Sequence, residues 1–270
     1  MKKILALATC FNRKDKTIKA INSLVSGNRD IDFSFVICDD NSFDGTYEEL
    51  LKIDNVKVIK GTGSLFWCGG MRKAIDEALR QTDTYDYCMW FNDDVVFFEH
   101  SIDKLANKEE NVVWVGPTCD DNNELSYGGV IKTSCFRPKY RKVIADTESG
   151  LECDTFNANC VLIPWEIFIN TGNMDSVYTH QFGDYDYGFM LKSKRIQIKV
   201  SNEFIGICNT NSNLGTFNDK TLSIKERLRL KKKSKGGLPA NEWFHYLRKN
   251  YNMFIALIYS VTPYIRIFII

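Results

Sequence analysis

The chain has 270 residues, of which 44% are hydrophobic and 26% are charged, and its formal net charge is +1. These values are typical of one large globular domain, alone or with an appendage. The near-neutral balance excludes bulk charge as a basis for binding nucleic acid or an acidic partner. The nine cysteines include no CxxC pair and several lie in apolar runs, which indicates buried thiols in a reducing compartment.

Strand and helix patterns alternate along the first part of the chain. Short apolar runs predict strands at 4–8, 33–38, 56–59 and 85–91. Apolar residues at helical spacing predict helices at 17–25, 46–51 and 71–79, with a glycine-rich loop at 61–70. We therefore expect an α/β, Rossmann-like fold with a mostly parallel central sheet flanked by helices. The first apolar run is too short for a signal sequence, which favours a cytoplasmic protein.

The second part of the chain is less regular. The patterns predict strands at 112–116, 156–164 and 196–200, helices from 165 and at 185–194, and hairpins or loops at 120–150. After about residue 220 the composition becomes basic and then apolar, which separates 221–270 from the rest of the chain.

Polar residues follow the ends of several predicted strands. Asn92, Asp93 and Asp94 follow the fourth strand, while 9–13 and 39–42 follow the first and second. In a parallel sheet these ends meet at one edge, which is where open α/β sheets bind ligands. Adjacent carboxylates repel each other, and a divalent cation is the expected partner that offsets the repulsion. The alternative for each motif is an ordinary turn or helix cap, since both use the same residue types.

These motifs resemble the nucleotide-sugar half of the inverting family-2 glycosyltransferases, whose fold is called GT-A. The matching stretches are Thr-x-Phe-Asn-Arg at 9–13, Asp-Asp-Asn-Ser-x-Asp-Gly-Thr at 39–46 and Asn-Asp-Asp at 92–94. The segment 65–72 is similar to bacterial members that build surface polysaccharides, rhamnosyltransferase-like ones among them. The resemblance covers about 1–215. It implies a GT-A domain at 1–220, made of a nucleotide-sugar-binding half at 1–118 and an acceptor half at 119–220.

The resemblance implies a UDP- or dTDP-linked sugar as donor. Thr9 and Asp40 match the family's base-binding pair, and a carboxylate can accept the ring N–H of uracil or thymine. Arg13 and Arg72 are candidates for the ribose or diphosphate, because arginine suits phosphate. The other donor-side candidates are Asn12, Trp67, Gly70, Asn92 and Asp93.

The resemblance also implies a metal ion. Asp94 matches the last carboxylate of the family's Asp-x-Asp motif and is the expected ligand of Mg²⁺ or Mn²⁺. Such an ion bridges the donor diphosphate and neutralises charge on the leaving group. Asn92 stands where the family usually has the first Asp, which removes one charge from the site.

A second motif, Gly183-Asp184, stands where the family often has Glu-Asp at the start of a helix. Direct displacement at an anomeric carbon needs a base that takes the proton of the acceptor hydroxyl. Asp184 is the first candidate for this base and Asp186 the second, with an N-cap role as the alternative for Asp184. Asn157 and Asn159 are expected on one face of a strand, lining the acceptor side or satisfying buried backbone groups.

The C-terminal segment carries a basic run at 225–235, then aromatic residues, then an apolar stretch at 254–270. Basic residues suit anionic headgroups, and Trp and Tyr suit the membrane interface. The apolar stretch is at the short limit for spanning a bilayer, so an interfacial helix is expected. The alternative is a helical pair packed on the catalytic domain. Nucleic-acid binding is not expected, because no recognition motif accompanies the basic run.

The sequence thus predicts an inverting, metal-dependent glycosyltransferase at the inner face of the cell membrane. The expected acceptor is a hydroxyl of a glycan, lipid-linked at the membrane. Two alternatives stay open. One is a catalytically silent nucleotide-sugar-binding protein, because Asn92 and Gly183 depart from the family pattern. The other is a nucleotidyltransferase on a similar fold, although 9–16 lacks the glycine-rich, basic signature of that class.

Overall fold

A computed structural model describes residues 1–269. Short strands alternate with helices along most of this range. The strands are, in chain order, β1 (Lys2–Cys10), β2 (Ile31–Asp39), β3 (Val56–Lys60), β4 (Tyr87–Phe91), β5 (Val96–Phe97), β6 (Val113–Val115), β7 (Thr118–Cys119), β8 (Leu125–Tyr127), β9 (Gly129–Lys132), β10 (Tyr140–Val143), β11 (Leu151–Glu152), β12 (Thr155–Phe156), β13 (Cys160–Pro164), β14 (Ile198–Val200) and β15 (Gly206–Ile207). The helices are α1 (Lys14–Gly27), α2 (Thr46–Leu50), α3 (Phe66–Ala78), α4 (Ser101–Ala106), α5 (Trp165–Thr171), α6 (Gly183–Ser193), α7 (Ile224–Lys231), α8 (Ala240–Asn250) and α9 (Met253–Ile269).

The central sheet has eight strands in the order β11-β14-β6-β13-β4-β1-β2-β3. In the first half of the chain the strands run parallel: β1 pairs with β2 and β4, and β2 pairs with β3. In the second half β13 lies antiparallel between β4 and β6. Two smaller sheets, β10-β9-β12 and β5-β15-β7-β8, complete the strand pairing. The predicted α/β class, with a large central sheet flanked by helices, is confirmed.

The central strands are buried on both faces, because helices cover each side. Successive side chains of a strand point to opposite faces. Accordingly, Ile4 and Ala6 of β1 pack with α1 and α4, whereas Leu5 and Leu7 pack with α3, α5 and α6. This two-sided burial explains why the strands read as continuous apolar runs and do not alternate with polar residues.

Two predicted elements differ from the observed ones. Helix α3 begins at Phe66, five residues before the predicted start, so Gly69 and Gly70 lie inside the helix. Position 70 is a glycine because the helix packs closely on β1: a Cβ on Gly70 would lie 2.0 Å from Thr9 Oγ1. The single strand predicted at 156–164 is in fact β12 and β13, which belong to different sheets and are separated by a turn.

The C-terminal helices pack on the rest of the protein. Helix α8 lies against α9 and α6. Trp243 and Tyr246, expected at a membrane interface, are buried instead, and Phe182 stacks on both of their rings. The Trp243 indole N–H donates to the Tyr259 carbonyl at 2.9 Å. The helical pair packed on the catalytic domain, which was the alternative for this segment, therefore describes α8 and one face of α9.

Two residues of the basic run also point inward. Arg227 is buried and donates to the carbonyls of Phe217 and Ile267 at 3.0 and 3.3 Å. Lys231 is fully buried and donates to the Leu238 carbonyl. Both residues tie α7 to its neighbours and are not available to headgroups. Five basic residues of the run stay exposed: Lys225, Arg229, Lys232, Lys233 and Lys235.

Helix α9 keeps one apolar face exposed. Within residues 1–269 no helix is both long enough and apolar enough to cross a bilayer. The exposed side chains recur every three or four residues, which places them on one side of the helix. They are Phe254, Leu257, Ile258, Val261, Ile265 and Phe268.

Candidate active site

The carboxyl ends of β1, β2 and β4 meet at one edge of the central sheet, as the sequence predicts. Side chains and backbone groups after these strands are bonded to each other. The Asn12 N–H donates to Ser42 Oγ at 2.8 Å, and Asn12 Oδ1 accepts from the Phe43 N–H at 2.9 Å. Thr9 Oγ1 donates to the Cys38 carbonyl at 3.0 Å. The strand-end motifs therefore form one connected surface.

Asp40 anchors the loop between β3 and α3. Its side chain is 4% exposed. Its two oxygens accept four backbone N–H groups, those of Thr62 at 3.1 Å, Gly63 at 2.8 Å, Leu65 at 2.8 Å and Phe66 at 3.2 Å. An ionised carboxylate has about four acceptor positions, so all of them are engaged. To accept a base N–H, Asp40 would have to release one loop amide.

Arg13 lies between the two carboxylates that follow β4. Its Nη1 is 2.9 Å from Asp93 Oδ1 and 3.0 Å from Asp94 Oδ2. The sequence predicts that a divalent cation offsets the repulsion between these adjacent carboxylates. In the structure the Arg13 guanidinium offsets it. The Arg13 side chain is 36% exposed, whereas those of Asp93 and Asp94 are 8% and 21% exposed. The pair is partly buried at the edge of the sheet.

Burial dominates the electrostatics of this cluster. It raises the pKa of Asp93 to about 6, although the Arg13 charge acts in the opposite direction; Asp94 adds to the rise. Burial also disfavours the charged guanidinium, but the two carboxylates outweigh it and raise the pKa of Arg13. At neutral pH Asp93 is therefore ionised beside a guanidinium that stays charged.

The carboxylate pair fits a divalent cation. Oxygens of Asp93 and Asp94 converge on a single positively charged atom, so the point they share is already a cation position. Mg²⁺ and Mn²⁺ prefer such oxygen ligands. Among residues 1–269 no group of three or more His, Cys, Asp or Glu side chains is placed to hold a metal ion. A metal at this point would therefore need further ligands from outside these side chains.

Asn92 joins the end of β4 to two other parts of the site. Its Oδ1 accepts the indole N–H of Trp67 at 2.9 Å, which fixes the first turn of α3. Its backbone N–H donates to the Asn159 carbonyl at 3.2 Å. The amide that replaces the usual Asp is thus part of the scaffold that connects the donor-side helix with the 157–159 turn.

Asp184 lies at the start of α6, as the second residue of the helix; the N-cap position belongs to Phe182. The N-cap alternative for Asp184 is therefore wrong. Its carboxylate accepts the N–H groups of Ala158 at 3.3 Å and Tyr185 at 2.8 Å. Burial raises the pKa of Asp184 to about 6, although these two hydrogen bonds lower it. Ala158 binds Asp184, and the next residue, Asn159, binds Asn92 after β4. One turn therefore links Asp184 to the end of β4.

Gly183 has no room for the carboxylate that the family often places there. A Cβ on Gly183 would lie 2.7 Å from Cys68 Sγ and 3.2 Å from Met174 Sδ. The position faces α3 and is buried. The glycine at position 183, where the family often has Glu, is therefore required by packing. Asp184 is the carboxylate of this motif that contacts the 157–159 turn.

Asp186, the second candidate base, faces the C-terminal helices. Its Oδ2 is 2.6 Å from Lys249 Nζ, and its Oδ1 accepts from Asn250 Nδ2 at 2.8 Å. The side chain is only 3% exposed. Both oxygens are engaged in holding α8 against α6.

The expected shared face of Asn157 and Asn159 is wrong, because neither residue is in a strand. Asn159 donates from Nδ2 to Cys208 Sγ at 3.3 Å and lies next to the carboxylate pair. The Oδ1 atom of Asn157 is buried without a hydrogen-bond partner among the described residues. The turn, and not a strand, therefore places Asn159 beside the site.

Arg72 and Gly70 lie deeper than a ligand-binding role predicts. Arg72 Nη1 donates to the carbonyls of Asp175 and Tyr178 at 3.2 and 2.6 Å, which holds the segment before α6. Gly70 is buried against Thr9. Their donor-binding roles stay predictions.

Three further residues interact with the cluster of Arg13, Asp93 and Asp94, by contact or through its charges, and were not predicted from the sequence. Cys208 Sγ is 3.5 Å from Asp94 Oδ1, and burial together with the Asp94 charge raises the pKa of this thiol to about 12. Burial raises the pKa of Tyr127, and the charges of Cys208 and Asp94 contribute. Burial, together with the charges of Lys235 and Arg13, lowers the pKa of His180 to about 4, so this imidazole is neutral at pH 7. Cys208 directly follows β15, so the strand-end rule could have found it.

Comparisons with known proteins place this geometry in context. The family model described as Glycosyl transferase family 2 matches residues 6–163. The mannosyltransferase PcManGT from Pyrobaculum calidifontis, solved in complex with GDP-Man and Mn²⁺, superposes with a TM-score of 0.54 at 12% identity over 98% of this chain and 73% of that one. TarS 1-349 from S. aureus gives 0.53 at 14% identity over 98% and 80%. No curated protein sequence matches the chain. The likeness to the solved structures confirms the GT-A fold.

Proposed function

The chain belongs to glycosyl transferase family 2, and from this premise we propose that it transfers a sugar from a nucleoside-diphosphate donor to a hydroxyl of an acceptor, with inversion at the anomeric carbon. One observation carries the proposal. The carboxylate pair after β4 and the carboxylate that opens α6 are held together by the 157–159 turn, through the Asn92–Asn159 and Ala158–Asp184 hydrogen bonds. Inverting transfer by direct displacement needs one group that stabilises the leaving diphosphate and one that deprotonates the acceptor hydroxyl, on opposite sides of the reacting carbon.

On the donor side, Asp93 and Asp94 would hold Mg²⁺ or Mn²⁺. When bound, the ion neutralises charge that develops on the leaving diphosphate. Asp94 is the more exposed of the two carboxylates, 21% against 8%, and so the better placed to meet a donor from solution. The loop anchored by Asp40 and the Thr9 hydroxyl lie at the same sheet edge and supply the nucleoside side of the site.

On the acceptor side, Asp184 acts as the general base. A base works best when its pKa lies near the operating pH, since it must be ionised and still take a proton. A pKa raised to about 6 by burial meets both conditions at pH 7. The two backbone N–H groups that bind this carboxylate fix its direction. Asp186 stays the second candidate, but both of its oxygens are engaged by α8.

We further propose that the acceptor is a glycan carried by a lipid, in the synthesis of a bacterial surface polysaccharide, and that the enzyme works at the cytoplasmic membrane face. The exposed apolar face of α9 supports this proposal, and the exposed basic residues of α7 and the following loop add to it. Helices α7 and α9 pack against each other. An apolar face flanked by positive charge matches an anionic lipid surface.

The experiment that tests the enzymatic proposal measures nucleoside diphosphate released from UDP-, dTDP- and GDP-sugars by purified protein with Mn²⁺. We expect release from at least one donor, and loss of most of it in Asp184→Asn. Asp83→Asn is the matched control, because Asp83 is exposed and makes no hydrogen bond or ion pair among the described residues. If no donor is consumed but a nucleotide sugar raises the melting temperature, the silent binding protein is the correct alternative.

A further inference from the structure

Arg13 occupies the point on which two carboxylate oxygens converge. A single nitrogen, Nη1, serves both Asp93 and Asp94. The backbone of Arg13 is fixed, since its carbonyl accepts both the N–H and the hydroxyl of Thr17 in the first turn of α1. The side chain, in contrast, is 36% exposed and reaches the carboxylates from the solvent side. The guanidinium can therefore move while the backbone of Arg13 stays in place.

A divalent cation and the Arg13 guanidinium compete for the same oxygens. A metal that binds alone must displace the guanidinium and leave it without an anionic partner. It must also break two contacts, at 2.9 and 3.0 Å, that hold the guanidinium on these oxygens. A diphosphate arriving with the metal changes this balance, because phosphate oxygens are good partners for a displaced guanidinium.

We propose that Arg13 is a resident counter-ion, which holds Asp93 and Asp94 while no metal is bound and moves to the donor diphosphate when metal and donor bind together. The proposal rests on the proposed function, in that the site takes a metal with a nucleoside diphosphate. It adds a specific coupling between the two ligands. Because binding linkage is reciprocal, each ligand raises the affinity for the other.

The counter-ion keeps the carboxylate pair in place before any ligand arrives. Without it, two partly buried carboxylates would face each other across adjacent residues, which is unfavourable for both. With it, the pair is held in the orientation that a cation needs. Arg13 thus prepares the site and, at the same time, weakens the binding of metal alone.

The test measures Mn²⁺ binding to the full chain by electron paramagnetic resonance, with no nucleotide present. We expect Arg13→Gln to bind Mn²⁺ at least about tenfold more tightly than the wild type, because the competing charge is gone. Arg29→Gln is the matched control: Arg29 is exposed and forms no ion pair among residues 1–269, and its loss changes the net charge equally. We expect its Mn²⁺ affinity to stay within about twofold of the wild type.

Two further variants make the test specific. Arg13→Met removes the charge with a different side chain and replaces Arg13→Gln if that variant does not fold. The double variant Arg13→Gln with Asp94→Asn should lose the gain in affinity, since the gain belongs to this carboxylate pair. The proposal is overturned if the affinity of the Arg13 variants is unchanged, is lower or is undetectable, if Arg29→Gln gains as much, or if the gain survives in the double variant.

This readout is independent of turnover. If no nucleotide sugar is consumed, the proposed function fails, while tighter Mn²⁺ binding by Arg13→Gln would still support the counter-ion. If donors are consumed but Mn²⁺ affinity does not respond to Arg13, the function stands and the counter-ion is wrong.

Discussion

Asp186 Oδ2 lies 2.6 Å from Lys249 Nζ, and this contact joins the helix of the candidate base to the C-terminal helical pair. The carboxylate is 3% exposed and the lysine side chain 38% exposed. A nearly buried carboxylate needs a charged or hydrogen-bonding partner. Helix α8 supplies both, with Lys249 and Asn250, so the acceptor side of the site depends on residues almost at the other end of the chain.

Replacing Lys249 with alanine should destabilise the protein by about 2 kcal/mol, because it leaves the Asp186 carboxylate buried with Asn250 as its remaining partner. Asp186 and Asp175 together raise the pKa of Lys249 against the effect of burial, so its contribution is fully present at neutral pH and is lost only as pH rises through the folded-state pKa. Urea unfolding at pH 7 measures the change. Lys104→Ala is the control, since its pair with Glu203 is exposed and should contribute about 0–1 kcal/mol. Equal losses in the two variants would contradict a special role for the α6–α8 link.

Gly183→Ala should destabilise the protein by about 1–3 kcal/mol, because the added Cβ meets Cys68 Sγ. Removing that sulfur with Cys68→Ala should relieve the clash, so the double variant should be more stable than the sum of the single changes predicts. A double-mutant cycle in urea provides the measurement. Strict additivity would show that the 2.7 Å approach does not determine the residue at position 183.

The rate of transfer should fall below about pH 6 as Asp184 becomes protonated, with kcat/KM dropping at least about tenfold per pH unit on the acid side, because Asp93 also has a pKa of about 6 and is protonated over the same range. An exposed aspartate would place this limb near pH 4. Initial rates across pH, with the donor that the protein consumes, give the profile. Asp184→Asn should lower kcat by about 10²–10⁴ and leave donor affinity within about threefold. In the residual activity of Asp184→Asn the acid limb should become less steep, because of the two carboxylates only Asp93 then titrates there. An unchanged slope would contradict Asp184 as the base.

Asp184→Asn should also make the stability of the protein less dependent on pH. The folded-state pKa of Asp184 is raised, so the folded protein holds a proton that the unfolded chain has already released between about pH 4 and 6. Wild-type stability therefore decreases as pH rises through this window, whereas an uncharged amide does not titrate. The amide NH2 would face one of the two backbone N–H groups that the carboxylate accepts, which costs stability at every pH, so the test is the difference between pH values. Between pH 4 and pH 7 we expect the variant to gain about 1 kcal/mol relative to the wild type, measured by thermal melts at both pH values, and the absence of that relative gain would contradict a buried carboxylate whose charge is unfavourable.

Phe254→Ser should weaken binding to vesicles that contain phosphatidylglycerol by about tenfold, because burying one Phe side chain contributes about 1.5–3 kcal/mol. Phe254 is 70% exposed on the apolar face of α9. Phe136→Ser is the control, since Phe136 is 79% exposed but lies in the loop between β9 and β10. Vesicle sedimentation measures binding, and raising the salt concentration should weaken it. Concentration-dependent dimers with no vesicle binding would instead show that a second copy covers this face.

The sequence predicts the first half of the fold well because its signals there are local. The strands β1, β2 and β4 are continuous apolar runs that end in polar motifs, and the helices between them have one apolar face. The 156–164 run fails for the opposite reason: nearly all of it is buried, but only the tertiary arrangement shows that a turn divides it between two sheets. The two glycines inside α3 also depend on the tertiary arrangement, because Gly70 lies where Thr9 leaves no room for a Cβ.

For the candidate site, residue types and strand ends predict which side chains converge but not how they pair. The carboxylates of Asp93 and Asp94 are visible in the sequence, whereas Arg13 lies 80 residues before Asp93 and was expected at the ribose or diphosphate. In the same way, the basic run gives no sign that Arg227 and Lys231 point inward while their neighbours stay exposed. Pairing depends on three-dimensional proximity, which neither spacing nor composition encodes.

The bond between Asp186 and Lys249 has a consequence for how the protein would work at a membrane. Helix α9 packs on α8, and α8 is fastened to α6 two residues after the candidate base. A bilayer that takes up the exposed side of α9 would therefore also fix the direction in which Asp184 faces. For the same reason, deleting the last helices would remove more than the proposed membrane-binding face, because the contacts of Lys249 and Asn250 with Asp186 would be lost as well.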